Sequence, residues 1–293
     1  MTTFVQAIVN GLGEGAVFAL LALGFVIIYK ATETVNFAHG SLALFGGYVI
    51  YRAKEHLPWF PSVVIGVVAA ALLGLLIERL LLSRAKNATP DSLAILTIGV
   101  DIVILTEITR RLGTAAAPFL GDPYDSKPMH LFGATVSRTY VVALIVALLL
   151  IGLFFAAFRY TNWGLAMRAQ AENREASALM GIRSWRVTAS AWLVGGGLAG
   201  IAVIFLATND IGGGSGLLAS HTVAFAAFPA AVLGGLTSAE GAVVGGLLVG
   251  LTDSIASQYV DLNFASVAVY LVMLLVLVVR PAGLFGRVEQ ARV

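Results

Sequence analysis

Long apolar stretches alternate with short polar ones along almost the whole chain. The apolar runs fall near residues 4–29, 36–52, 60–82, 92–109, 138–158, 187–207, 220–236, 240–258 and 262–280. A helix that crosses bilayer hydrocarbon needs about 20 apolar residues, and fewer where it is re-entrant or broken. The runs therefore predict an all-α fold: a polytopic membrane bundle of eight or nine helices, forming one transmembrane domain over residues 1–293. Those at 36–52 and 220–236 are short, so each is expected either to cross or to enter as a half-helix.

A polar island from Arg159 to Arg186 interrupts this pattern. Leu165, Ala169, Ala176 and Leu179 recur there at helical spacing, while Arg168, Glu172, Asn173, Arg174 and Glu175 fill the opposite side. That spacing predicts one short amphipathic helix. Thr161 or Asn162 can cap its start by accepting from a free backbone N–H, and Gly181 can take the left-handed turn that ends it. Small residues on its face, Ala169, Ala176, Ser177 and Ala178, suit docking into a groove of a soluble partner. An interfacial helix resting on lipid head groups needs the same amphipathic pattern with basic ends, so both readings stand at this point.

Hydrophobic residues make up 59% of the 293, and charged residues only 12%, about half the share of a soluble domain. The placement of Lys and Arg then sets orientation. Arg79, Arg84 and Lys86, the island's Arg159, Arg168, Arg174, Arg183 and Arg186, and the tail's Arg280, Arg287 and Arg292 are expected on the cytoplasmic side. The stretch Asn209 to Ser220 has neither Lys nor Arg and is expected outside. Nine crossings then put the N-terminus outside and the C-terminus inside. Arg110, Arg111, Lys127 and Arg138 fall on the outer side against this scheme, and the denser bias of island and tail decides. The segment Gly121 to Gly133, rich in turn formers, reads as an ordered outer loop or a plain solvated connection. The N-terminus lacks the charged region of a cleaved signal, so the first run is expected to remain as a span. Without Cys the chain has no disulfide framework or thiolate metal site. No basic tract points to nucleic acid.

Glycines cluster inside the apolar runs at Gly11, Gly13 and Gly15, Gly46–Gly47, Gly195–Gly197, Gly234–Gly235 and Gly245–Gly246, where small residues let helix backbones approach closely. None belongs to a G-x-x-x-x-G-K-S/T phosphate loop, so the chain has no ATP site of its own. Polar residues at membrane depth each need a reason. Glu14 can read a substrate ammonium group, pair with an Arg, or sit protonated in a helix contact. Asn36, His39, Gly40 and Ser41 open the second run, where a helix start can point free N–H groups at an anionic group or His39 can bond between helices. Glu107 lies near Arg110 and reads as a local helix pair. His56, His130 and His221 are scattered without metal-ligand spacing, and no nucleophile–base or paired-carboxylate arrangement is recognisable. Catalysis by this chain is not expected. On residues alone, an ion-coupled secondary transporter or channel using Glu14, Asp101 and Asp253 also fits.

The run Gly15 to Tyr29, which ends A-L-L-A-L-G-F-V-I-I-Y, and the V-N-F-A-H-G that follows resemble the opening of the permeases of branched-chain amino-acid ABC importers. So do W-G-L-A-M-R-A-Q-A-E-N-R-E-A-S-A-L-M-G-I, V-L-G-G-L-T-S-A-E-G-A-V-V-G-G-L-L-V-G-L and the ending R-P-A-G-L-F-G, in family order. The resemblance implies a multi-pass subunit of a bacterial inner-membrane importer, similar to the permease usually carrying N-F-A-H-G. It implies four partners: a second permease, two cytosolic ATPases that bind the ATP, and a periplasmic binding protein that brings a small-molecule substrate. It also identifies residues 159–186 as a cytoplasmic coupling segment, with Gly164, Arg168, Ala169, Asn173, Ala176 and Gly181 at the family's marked positions, which favours docking over a lipid-surface role. Glu14 and Lys30 depart from the family pattern. Related permeases that carry urea, amides or aromatic acids are similar too.

Overall fold

The computed structural model describes residues 2–85, 88–113, 120, 128–131, 134–208, 211 and 216–286. Its helices are α1 (Thr2–Thr32), α2 (His39–Ala53), α3 (Trp59–Leu80), α4 (Pro90–Leu112), α5 (Arg138–Tyr160), α6 (Asn162–Glu172), α7 (Arg174–Leu179), α8 (Ser184–Leu206), α9 (Gly216–Phe225), α10 (Ala227–Gly234), α11 (Ala239–Tyr259) and α12 (Leu262–Val279). Strands β1 (Met129–Leu131) and β2 (Ala134–Val136) pair as a small antiparallel hairpin, an addition to the expected all-helical bundle. Gly121 to Lys127, most of the expected outer loop, lie outside the described residues. Seven helical segments among those described are long and apolar enough to cross a membrane.

α1 is apolar on every side and is the central helix, as an all-round hydrophobic helix must be. Residues Val17 to Leu23 and Phe25 to Ile28 are buried against α5, α8, α10 and α11. Glycines set its closest approaches. A Cβ on Gly11 would stand 3.0 Å from Gly250 O and Leu251 Cα, and one on Gly15 would stand 2.9 Å from Leu247 Cα. Because lipid tails are as apolar as leucine, such backbone-to-backbone packing holds α1 and α11 together. α3 and α8 meet in the same way through Gly74, Gly196 and Gly200. The outer faces of α3, α4, α5 and α12 carry Val68, Val103, Leu149 and Val278 outward, the surface expected towards lipid or another subunit.

Neither short run is one simple helix. α2 has 15 residues, about 22 Å at 1.5 Å each and less than the roughly 30 Å of hydrocarbon. Residues 33–38 lead into it as irregular chain, and neighbours take up several of its backbone N–H groups, as membrane depth demands. Phe37 N donates to Thr97 Oγ1 at 3.0 Å, and Ala38 N donates to Asn36 Oδ1 at 3.0 Å. The run at 220–236 is divided at Ala226 into α9 and α10. Pro229 accounts for the break: it has no N–H for the Phe225 carbonyl one turn earlier, and its ring crowds that carbonyl.

The segments that the charge pattern groups on one side lie together. The island, the end of α1, Arg79, Thr237 and residues 280–286 share one end. Gln170 Nε2 donates to Ala31 O, Arg79 stacks on Trp185, Lys30 Nζ donates to Thr237 O, and Leu284 N donates to Leu233 O. Leu120 and Ala207 lie at the other end, joined by a Leu120 N–H to Ala207 O bond.

Candidate functional site

The island folds as two helices rather than the single helix expected. Asn173 takes an extended conformation (φ −158°, ψ 108°) that ends α6, and its Oδ1 accepts from Ala176 N at 2.9 Å to start α7. A short polar side chain that bonds its own downstream backbone competes with helix continuation, which is why the periodicity stops there. Thr161 caps α6 by accepting from Gly164 N, and Gly181 (φ +86°) closes α7, both as expected.

The buried face also differs from the expected one. Gly164, Met167, Gln170 and Ser177 face inward, while Leu165, Leu179 and Met180 are 58%, 89% and 85% exposed. Three anchors fix this orientation. Gly164 lies directly on the Phe158 carbonyl, where any Cβ would collide, and Arg168 Nη1 donates to that same carbonyl with its guanidinium 5.3 Å over the Phe158 ring. Trp163 Nε1 donates to Ser190 Oγ of α8 at 2.8 Å. Gln170 Nε2 donates to Ala31 O of α1 at 2.9 Å. Of the marked positions, Gly164 and Arg168 thus grip α5, Asn173 and Gly181 shape the chain, Ala169 is half-buried and Ala176 is exposed.

Where α2 begins and α9 gives way to α10, polar and aromatic side chains gather. Ser41 Oγ donates to Asp101 Oδ1 at 2.6 Å, and His221 Nε2 stands 3.0 and 3.2 Å from the two Asp101 oxygens. An ionised carboxylate only accepts, so His221 carries its proton on Nε2 in that state. Gly40 lets α9 come close: a Cβ there would stand 3.0 Å from the His221 carbonyl. His39 is fully buried against Gly24, with its ring 4.4 Å from that of Phe25. Among the described residues neither ring nitrogen has a hydrogen-bond partner. Phe37 stacks on Phe225 at 6.3 Å and meets Phe228 at 5.8 Å, and all three are half-buried.

The structure thus brings Asn36, His39, Gly40 and Ser41 together and adds Asp101, His221 and the three phenylalanines. Glu14 is not among them: it lies ten positions before Gly24 along α1, about 15 Å at helical rise, and faces Asp253 of α11. Glu107 pairs with Arg110 at 2.8 Å and Arg111 at 2.6 Å, the local pair expected. The sequence flagged Asp101 as a costly intramembrane acid and left His221 as scattered. A paired interpretation of both was the signal that could have joined them.

A protein-family profile described as "Branched-chain amino acid transport system / permease component" matches residues 7–278. The chain is similar to the "High-affinity branched-chain amino acid transport system permease protein LivH" of Escherichia coli, at 29% identity over 99% of this chain and 98% of that one. It is similar in the same degree to the corresponding protein BraD of Pseudomonas aeruginosa, at 29% identity over 99% and 98%. A "Probable branched-chain amino acid transport permease protein LivH" of Methanocaldococcus jannaschii is 30% identical over 93% of this chain and 91% of its own.

Proposed function

Because the chain belongs to the family of branched-chain amino-acid transport permeases, we propose that it forms half of the translocation path of a bacterial inner-membrane importer for branched-chain or related amino acids. It is a permease subunit of an ABC importer and a multi-pass membrane protein. Its partners in this reading are a second permease, two cytosolic ATPases that bind ATP, and a periplasmic binding protein that delivers substrate. The chain itself carries out no catalysis and holds no cofactor. The island faces the cytoplasm, with the C-terminus on the same side.

The observation that carries this reading is the island's construction. It is fastened to α1, α5 and α8 while Leu165, Leu179 and Met180 stand outside. An exposed apolar group on a firmly held polar segment is what a covering partner protein would use. Asn36, Gly40 and Ser41 hold the chain breaks in shape, and in this reading the half-buried Phe37, Phe225 and Phe228 beside them line the path. That aromatic group favours substrates with an apolar side chain over urea or small amides. An ion-coupled carrier would have to rely on Glu14 and Asp253, since Asp101 is already engaged by Ser41 and His221.

Purification of the tagged chain from its host in mild detergent tests the assembly. Two P-loop ATPase chains and a second permease should accompany it, and recovery of the chain alone in several detergents would overturn the reading. A second test concerns Arg168. Its replacement by glutamate removes the grip on Phe158, so transport and substrate-stimulated ATP hydrolysis should fall about tenfold with membrane insertion intact. Unchanged uptake by that variant would sink the coupling role of the island.

A further inference from the structure

The final turn of α1 is bonded both to the island and to the turn between α10 and α11. Ala31 lies in that turn, where helix carbonyls lack an intrahelical partner. Its oxygen is instead taken by the Gln170 amide, reaching from α6 across 139 positions of sequence. Gln170 is 3% exposed, and among the described residues its Oε1 has no partner, so the side chain is committed to this one bond. One residue earlier, Lys30 Nζ donates to Thr237 O at 3.0 Å, in the turn between α10 and α11. Leu284 N and Phe285 N, beyond α12, donate to Leu233 O and Gly234 O and tie the chain after α12 to the end of α10.

Beyond Ala31 the chain has little slack. Glu33 has φ +57°, the one non-glycine residue in the left-handed region among those described, so the reversal after α1 is held against an intrinsic preference. Glu33 N donates to Tyr29 O at 2.7 Å. Phe37 N and Ala38 N are then fixed on Thr97 and Asn36, and Phe37 stacks on Phe225. A displacement of Ala31 therefore has two short routes to the aromatic group. One runs through residues 33–38 to Phe37, and the other through Lys30 and Thr237 to α10 and Phe228.

We infer that Gln170 is a positioning residue for transport: its amide locks the island to the last turn of α1, so that movement of the island shifts both chain breaks around Phe37, Phe225 and Phe228. The inference rests on the island being the segment that the ATPases move. It assigns a mechanical role to a residue that touches neither substrate nor ATPase.

The test uses the complete importer, purified with its ATPases and reconstituted in vesicles with its binding protein. Gln170→Met keeps the side chain's size and removes the donor. It should leave the ATPases bound and hydrolysing, while substrate carried per ATP falls about tenfold. A purely structural residue would instead lower assembly and hydrolysis together, and that outcome would overturn the inference. The chain has no cysteine, so Ala31→Cys with Gln170→Cys gives a second reading. Without cross-linker this pair should show the same low yield per ATP, and a short bismaleimide bridge should restore it. A yield unchanged in Gln170→Met, or not restored by the bridge, refutes the role of Gln170. If Arg168→Glu lowers transport while the Gln170 variants do not, only this inference fails. If neither does, the island reading fails with it.

Discussion

Asp101→Leu is expected to abolish uptake while the chain still inserts into the membrane. The carboxylate is the shared acceptor of Ser41 and His221, and leucine leaves both without it in a site where Asp101 is only 8% exposed. Leaving a buried donor unsatisfied costs on the order of 1–3 kcal/mol; Ser41 keeps the Asp101 backbone carbonyl at 3.1 Å, so the loss falls on His221. The damage falls where α2 starts and α9 meets it, so the chain breaks should lose their fixed relation. Asp101→Asn keeps an acceptor for Ser41 and should retain part of the activity. Uptake into whole cells, read with the melting temperature of the purified complex, checks both variants. Parental values for Asp101→Leu would mean that the cluster has no part in holding the breaks.

An effect of similar size is expected at the crossing of α1 and α11. Gly11 and Gly15 face Gly246 and Gly250, and a Cβ on Gly250 would overlap the backbone nitrogen and Cα of Gly15. Neither backbone can yield without separating the helices, so Gly250→Leu should prevent a folded chain from accumulating. Forced overpacking of even soluble cores typically costs about 1–3 kcal/mol, and here the obstacle is main chain rather than a movable side chain. Gly99 on α4 and Gly152 on α5 have nothing within 4 Å of the same added atom. Leucine at either of those positions should give normal yields of monodisperse protein on size-exclusion chromatography. Equal yields from Gly250→Leu would show that the helices do not meet as described.

Much of the bundle was legible because each span is its own signal. A run of apolar residues long enough for hydrocarbon has no good alternative to helix, so the expected spans and the observed helices agree within a few residues. The short runs announced their breaks by length alone. What periodicity could not provide was rotation. Leu165 and Leu179 looked like a buried face, but Asn173 interrupts the helix between them, and Gly164 dictates which side lies against α5. The cluster around Asp101 was hidden for another reason. Its members are 60 and 120 positions from their partners, and only the packing of α2, α4 and α9 brings them together. The marked positions Gly164, Arg168 and Asn173 were identifiable from the sequence, but their attachments to Phe158 and to α7 were not.

The central place of the first helix has a consequence for how the protein is made. Its closest partner is among the last segments to leave the ribosome: Ser254 of α11 bonds to Ala7 of α1 across 247 positions. At about 5–20 residues per second, roughly 10–50 s of synthesis separate the two. Throughout that interval the glycine-lined side of α1 lies open in the membrane or against the insertion machinery. Chains cut short before α11 would keep it open indefinitely, a natural mark by which membrane proteases could distinguish unfinished subunits from complete ones.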